Sequence, residues 1–376
     1  MESTDYAVIG AGLAGASTAW HLAARGHQVT LLERTTPANE LGSSHGSARI
    51  FRYAYEDEFY TRLLQRSEDG WAELARLSGR ELITATGSVD YGAERDPAAL
   101  AGVLAACGVE HELLGADEAR RRWPQIAFDT EVLWHPGAGV IDAQETVMAL
   151  VRAGAGHGAR VETGWAARSV ARDGSAFVIT AEDGRTLRAG RVVVAAGGWL
   201  PRLLAALPLP EGFLGAMPHL EVRQEQAYHF PYAESPAEAP AMWPTFIHMR
   251  RGWTAYGLPG GRDAGFRGQK IAEFNGGKVL PSAADQDGVI DPENRRRVAE
   301  YVREYLPGLV PEPYAETTCL FTNTPTEDFV IDSAEGITVV SPCSGHGAKF
   351  APVIGELAAD VASSAGGVPA RFRVAR

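Results

Sequence analysis

Cysteine is scarce in this chain: Cys107, Cys319 and Cys343 are the only three in 376 residues, an odd number, widely separated and without a CxxC pair. That spacing offers neither a disulfide framework nor a zinc site and fits a reducing compartment; no metal ligand set is expected. Positive charge is also short. Lys and Arg number 35 against 47 Asp and Glu, a net charge of −12, which argues against a nucleic-acid backbone or an anionic membrane surface as partner. No stretch approaches the roughly 18 consecutive apolar residues of a membrane span, and no basic-then-apolar leader precedes the first strand pattern. The expectation is a soluble cytoplasmic protein. Internal repeats and low-complexity segments are lacking too. What remains is ordinary globular composition, 45% hydrophobic, with length for about two to three domains.

The first 33 residues carry the strongest pattern. An apolar strand at 6–9 runs into Gly10-Ala-Gly12-Leu13-Ala14-Gly15, a helix with Ala19 and Leu22 on one face follows, and a second strand at 29–32 ends at Glu33. Gly10 serves the tight turn, Gly12 lets the backbone approach a pyrophosphate, and Gly15 lets the helix pack on the strands. Phosphates then sit at the helix N-terminus, and Glu33 is placed for ribose hydroxyls. A lone GxGxxG is weak, but strand, helix, small Ala19 and terminal acid fall in register here. The motif specifies a dinucleotide without saying which. A second signal is the buried strand 191–196 ending at Ala196, Gly197, Gly198 and Trp199, so the nucleotide domain is interrupted and later resumed.

Between these signals, residues 34–44 read as an irregular loop. In 45–53, Arg49 and Arg52 stand three apart and share one side of a helical turn, either presenting cations to an anionic ligand or forming a solvated basic face. Residues 58–78 predict an amphipathic helix stopped by Gly79, with its aromatics as packing. Short helices follow at 97–107 and 117–122, the latter with a solvated arginine run. Residues 139–142, 143–153 and 160–162 read strand, helix, strand, with a hairpin around 177–184. From 217 to 318 the pattern is an antiparallel sheet with strands near 222–230, 245–249, 253–258 and 269–274. An exposed loop is expected at 234–240, and a helix opens at Asp291-Pro292 and runs to Leu306. Near the end, a strand at 337–341 precedes Gly345, His346 and Gly347, a turn that offers backbone donors to an anion before a last helix.

Four motifs in this order, GAGLAG with Glu33, GSSHGSARIFRYAY, CLFTNTPTEDFVID and SGHGAKF, resemble the flavin-dependent amine oxidases of the sarcosine oxidase, N-methyltryptophan oxidase and pipecolate oxidase family, within a D-amino acid oxidase-like superfamily. The likeness spans nearly the whole chain. It implies an α/β plus α+β architecture: a discontinuous Rossmann-like FAD-binding domain (1–84, 140–216, 319–376) and a mainly antiparallel substrate domain (85–139, 217–318). It implies FAD rather than NAD, bound by Gly10, Gly12, Leu13, Ala14, Gly15, Glu33, Arg34, Ser44, His45, Arg49, Ala196, Gly197, Trp199, Gly345, His346, Gly347 and Lys349, and linked through its 8α-methyl to Cys319. Cys107 reads as a small core residue, and Cys343 does not match the attachment position.

The same resemblance implies that Arg52 and Lys349 hold a substrate carboxylate, with Lys270, Arg49 and His45 as the catalytic set. Lys270 would promote reaction of the reduced flavin with oxygen, an electrostatic role; read by itself it is a strand surface lysine, while Lys278 reads as a hairpin-end lysine. The chain departs from the sarcosine-oxidising members at two places, Phe274 for a histidine and Phe321 for a tyrosine. Both remove polar atoms from the pocket wall and point to a bulkier or more apolar secondary amino acid, with Tyr256 as a polar or stacking wall residue. The expected reaction is hydride transfer from an N-methyl or cyclic amino acid to FAD, giving an imine, then reoxidation by O2 to hydrogen peroxide in a monomer. A same-fold amine dehydrogenase using a non-oxygen acceptor is the alternative, followed by a flavin-binding sensor and an NAD-dependent reductase. Nothing in the sequence marks a dedicated general base.

Overall fold

A computed structural model of the protein describes residues 2–234 and 243–374; of the expected loop at 234–240, all but Glu234 lies outside the described residues. Strand β1 (Ser3–Ile9), helix α1 (Leu13–Ala24) and strand β2 (Val29–Leu32) form the expected unit, with β1 and β2 parallel from Tyr6↔Val29 to Ile9↔Leu32. Residues 6–9 of β1 and all of β2 are buried on both faces, which is why they show no alternation of apolar and polar residues. The turn depends on two glycines. Gly10 has φ +100° and would drive a Cβ to 2.4 Å from the Ala195 carbonyl oxygen; a Cβ on Gly15 would stand 1.9 Å from the Gly10 carbonyl oxygen. α1 therefore lies directly on its own turn, flanked by the helices Ala143–Gly156 and Ala351–Ser363.

The first sheet runs Ala167–Asp173, Ala176–Ala181, Thr186–Val194, β1, β2, Arg160–Glu162, and Thr186–Val194 also pairs in parallel with Ile337–Ser341. Its parallel strands come from distant parts of the chain, so the nucleotide sheet is interrupted and resumed. Among the described residues the second sheet has nine strands. Lys278–Leu280, Glu221–Pro231, Gly268–Glu273, Trp253–Pro259, Thr245–Arg250, Ser88–Tyr91, Val132–His135 and Glu112–Leu114 lie in that order, with Ala315–Asn323 added to Glu221–Pro231. Ala315–Asn323 is paired from Glu221↔Asn323 to His229↔Ala315, so the expected division at 318/319 cuts a continuous strand and Cys319 belongs to the antiparallel sheet.

Period-two alternation gives this sheet two different faces. Tyr228, Phe230, Phe246, Ala255 and Ile271 point back into a core shared with the helix Pro292–Tyr305 through Val298, Tyr301 and Val302. Their in-between neighbours Glu225, His229, Tyr256, Lys270, Cys319 and Phe321 share the front face, which follows from the register pairs Glu225↔Cys319, His229↔Lys270 and Tyr256↔Ala272. A small third sheet joins Arg49–Phe51, Gly139–Ile141 and Ile83–Ala85. This corrects the reading of 45–53: Arg49 begins a strand, not a helical turn, because the segment is claimed by pairing with Gly139–Ile141. Helix Glu58–Ser78 has the expected ends, capped by Asp57 and stopped by Gly79 at φ +64°. Among the described residues no helix is long and apolar enough to cross a membrane.

The two motif glycines should respond differently to alanine. Gly15→Ala meets backbone and should cost about 1–3 kcal/mol or more in fold stability, whereas Gly12→Ala meets only the Ser44 hydroxyl, at 2.9 Å, and should leave the unfolding midpoint of the flavin-free protein nearly unchanged while weakening cofactor binding. Thermal unfolding of the two variants, with and without FAD, checks this.

Candidate active site

A cavity of about 430 Å3, within the range of ligand pockets, runs from Glu33 past the N-terminus of α1 to Arg49, Phe321 and Gly345. At its outer end the Glu33 carboxylate is held by three protein donors: Ala11 N at 2.8 Å on Oε2, and Thr35 N at 3.1 Å and Asn39 Nδ2 at 3.2 Å on Oε1. A carboxylate has about four acceptor positions, so room for a ribose hydroxyl remains. Arg34 pairs with Glu182 at 3.1 Å and lies 5.5 Å over the Trp199 ring, and Ala196, Gly197 and Trp199 line the opposite wall. Ser44 Oγ accepts from Leu13 N at 3.1 Å, so this hydroxyl stands beside Gly12 where a pyrophosphate would pass.

Arg49 is the cation that lines the inner end among the described residues. Arg49 donates to the carbonyls of Ala48 (2.9 Å), Ser43 (3.0 Å) and His45 (2.8 Å), clamping the loop that carries Ser44. His45 holds the Gly42 carbonyl at 2.7 Å, which makes Nδ1 its protonated nitrogen and leaves Nε2 as an acceptor. Burial, reinforced by Arg49, lowers its pKa to about 4, so the ring is neutral. Lys270 is 6% exposed, which corrects its reading as a surface lysine. Burial and then Arg49 bring its pKa down to about 8, against the opposing pull of Cys319 and Asp263. The Cys319 thiol shares this face and burial pushes its pKa up, with Lys270 and Arg49 opposing.

The glycine turn differs from its expectation. The N–H groups of His346 and Gly347 both donate to the Cys343 carbonyl, at 2.9 and 3.0 Å, so the turn spends these donors on itself. Gly345, at φ +70°, is required for another reason: a Cβ there would lie 2.7 Å from the Phe274 ring and 2.9 Å from the Phe321 ring. Those two rings, with centroids 5.7 Å apart, make a continuous apolar wall.

Arg52 and Lys349 converge on Tyr55. The Arg52 guanidinium sits 4.8 Å over the Tyr55 ring and donates to the Ala54 carbonyl, while Lys349 Nζ donates to Tyr55 Oη at 3.1 Å and to the His346 carbonyl at 2.8 Å. Neither cation forms an ion pair with a carboxylate among the described residues. Lys349, 4% exposed, has its pKa driven well below the lysine range by burial and then by Arg52. Both His346 ring nitrogens are engaged by the protein: Nε2 donates to the Glu327 carbonyl at 2.9 Å and Nδ1 accepts from Tyr55 at 3.1 Å, and the ring stacks on Phe329. Burial, then Lys349, lowers its pKa to about 3, so it fixes Tyr55 as a neutral ring. Tyr256, half-buried on the front face, packs with Ala48 and Leu258. Sequence reasoning missed Tyr55, and it missed Trp71, whose indole N–H holds the Lys349 carbonyl at 2.8 Å. It also missed Glu225 and His229, which the alternation along 221–231 places on the front face with Lys270.

The profile of the family described as "FAD dependent oxidoreductase" matches residues 5–361. The chain belongs to this family. It is 34% identical to the monomeric sarcosine oxidase of Streptomyces avermitilis over 95% of this chain and 93% of that protein, and 31% identical to the peroxisomal sarcosine oxidase of Homo sapiens over 94% and 90%. Among solved structures it resembles the open form of NikD, described as an unusual amino acid oxidase essential for nikkomycin biosynthesis, at 27% identity and a TM-score of 0.87, covering 100% of this chain and 98% of that one. The residues of this FAD-dependent oxidoreductase fit the cofactor: the cradle at Gly12 would be filled by a Cβ, Glu33 keeps acceptor capacity at the outer end, and the inner end is cationic and apolar.

Because Arg49 holds three carbonyls of the Ser44 loop, Arg49→Lys should weaken FAD binding by at least about tenfold, the worth of one charge-assisted hydrogen bond. Quenching of FAD fluorescence by the flavin-free protein measures it.

Proposed function

We propose that this protein oxidises a secondary amino acid, N-methyl or cyclic, with FAD attached at Cys319 and dioxygen as the final acceptor, releasing hydrogen peroxide. The observation that carries the reading is the meeting of Arg52 and Lys349 on Tyr55 without a protein carboxylate. One buried and one half-buried cation on one ring suit a carboxylate from outside, held by charge and directed hydrogen bonds together. When bound, FAD supplies the hydride acceptor and passes the electrons to oxygen. The remaining work belongs to the side chains. Arg52 and Lys349 fix the acid end of the substrate, so that its α-carbon is presented in one orientation. His346, neutral and bonded on both ring nitrogens, locks Tyr55 and with it Lys349.

Phe274 and Phe321 make a wall that excludes water and gives a large apolar substituent a surface to rest on. The names of the relatives agree with amine chemistry, and this wall favours a bulkier substrate than sarcosine. Lys270 is buried and, with a pKa of about 8, holds an ammonium at neutral pH that can stabilise charge developing on dioxygen. The proposed functional unit is a monomer.

A panel of N-methyl and cyclic amino acids, each beside its decarboxylated amine, should give peroxide with the acids only. Arg52→Gln should raise KM for the best acid on the order of 100-fold, as expected for losing one partner of a buried charge pair. Reoxidation of the reduced protein by oxygen, followed by stopped flow, should slow as pH rises through about 8, because the lowered pKa of Lys270 means its charge is present below that pH and lost above it. Lys270→Met should abolish that dependence and slow reoxidation roughly 100-fold or more.

A further inference from the structure

Glu225 is used by nothing described so far. It lies inside the strand Glu221–Pro231, is 1% exposed, and stands directly opposite Cys319 in the antiparallel register. Directly opposed side chains share a face with Cβ atoms about 4.5–5.5 Å apart. One carboxyl oxygen, Oε2, accepts from Gly277 N at 3.2 Å; the other, Oε1, is sealed from solvent and has no hydrogen-bond partner. Buried polar atoms without a partner are rare enough to call for a reason. The charged and titratable groups around it are Arg223 on its own strand, Glu273 beside the Gly277 turn, Tyr256 two strands away, and Cys319 with Lys270 and Arg49 beyond it. Arg223 is engaged by Glu221 and by the Asn275 and Gly277 carbonyls, and Glu273 by Arg297 and Asn294, so neither caps Oε1.

We propose that Glu225 is the base that takes the thiol proton of Cys319 when that sulfur becomes bonded to the 8α carbon of FAD, so that the protein attaches its own cofactor. The inference rests on the covalent attachment read above. The Cys319 S–H bond breaks and its proton passes to Glu225 Oε1. One C–H bond of the 8α-methyl breaks, its proton going to water, and the sulfur–carbon bond forms. The two electrons left on the flavin ring go to dioxygen, which takes two protons to give hydrogen peroxide. Burial makes the Cys319 thiol hard to ionise unaided and brings the Glu225 carboxyl to a pKa of about 7, where it both accepts and returns a proton. Lys270 and Arg49 then stabilise the thiolate.

The test uses the full chain purified from riboflavin-starved cells, mixed with FAD in air, with intact mass read under denaturing conditions over time and FAD affinity read separately by fluorescence quenching. The wild type should gain the mass of FAD less two hydrogens, and Cys319→Ala should gain none. Glu225→Gln should bind FAD with unchanged affinity yet attach it about 100-fold more slowly, in the range of a lost general base. Glu225→Asp should recover part of that rate, and the wild-type rate should rise with pH through about 7 while that of Glu225→Gln does not. Attachment by Glu225→Gln at the wild-type rate overturns the proposal, as does slow attachment that simply tracks lost FAD affinity. A wild type that binds FAD tightly without gaining mass overturns the attachment reading itself, an outcome separate from the first two.

Discussion

Positive charge drawn partly or wholly out of solvent without a carboxylate in ion-pair contact is the constraint on which the site depends. Ionised groups are expensive to bury unless paired, and the cost is met either by a partner or by loss of the charge. Elsewhere this chain follows the usual solution: half-buried Arg297 pairs with Glu273, and buried Arg95 with Asp90. At Arg49, Arg52 and Lys349 it does not. Arg49 has only carbonyls, Arg52 a carbonyl and a ring, Lys349 a phenol and a carbonyl. Such a place is unfavourable empty and favourable to a ligand that brings negative charge, and an amino acid with a flavin accepting electrons brings it at two points.

The backbone makes this arrangement affordable by dividing labour between two sheets. The parallel sheet supplies a phosphate cradle at the end of β1, where Gly10 and Gly15 bring turn and helix into contact. The antiparallel sheet sends its apolar residues back toward the helix Pro292–Tyr305 and keeps its front for Lys270, Glu225, Cys319, Tyr256 and Phe321. Gly345 closes the seam, because only a residue without a side chain leaves room for both Phe274 and Phe321.

The nucleotide unit was legible in sequence because its constraints are local: a strand, a turn of glycines and a capped helix within 33 residues. Helix Glu58–Ser78 was legible for the same reason, with Asp57 and Gly79 marking its ends. Arg49 and Arg52 misled, since spacing suggests a helical turn but a distant strand, Gly139–Ile141, fixes the segment as extended. The partners of His346 were not legible, because Tyr55 and Glu327 are remote in sequence or contribute a backbone atom that no pattern announces. Glu225 was hidden by its own strand: a carboxyl among alternating residues reads as solvent-facing until the pairing with Cys319 shows that both faces of that strand are covered.

The most direct measurement of the central claim is a visible-absorbance titration of the purified flavoprotein with a small carboxylic acid and with its amide, at constant ionic strength. The account predicts that the acid perturbs the flavin bands and binds at least about 100-fold more tightly than the amide, the worth of a buried charge pair. Equal affinity for the two, or a protein that carries no flavin, would contradict it.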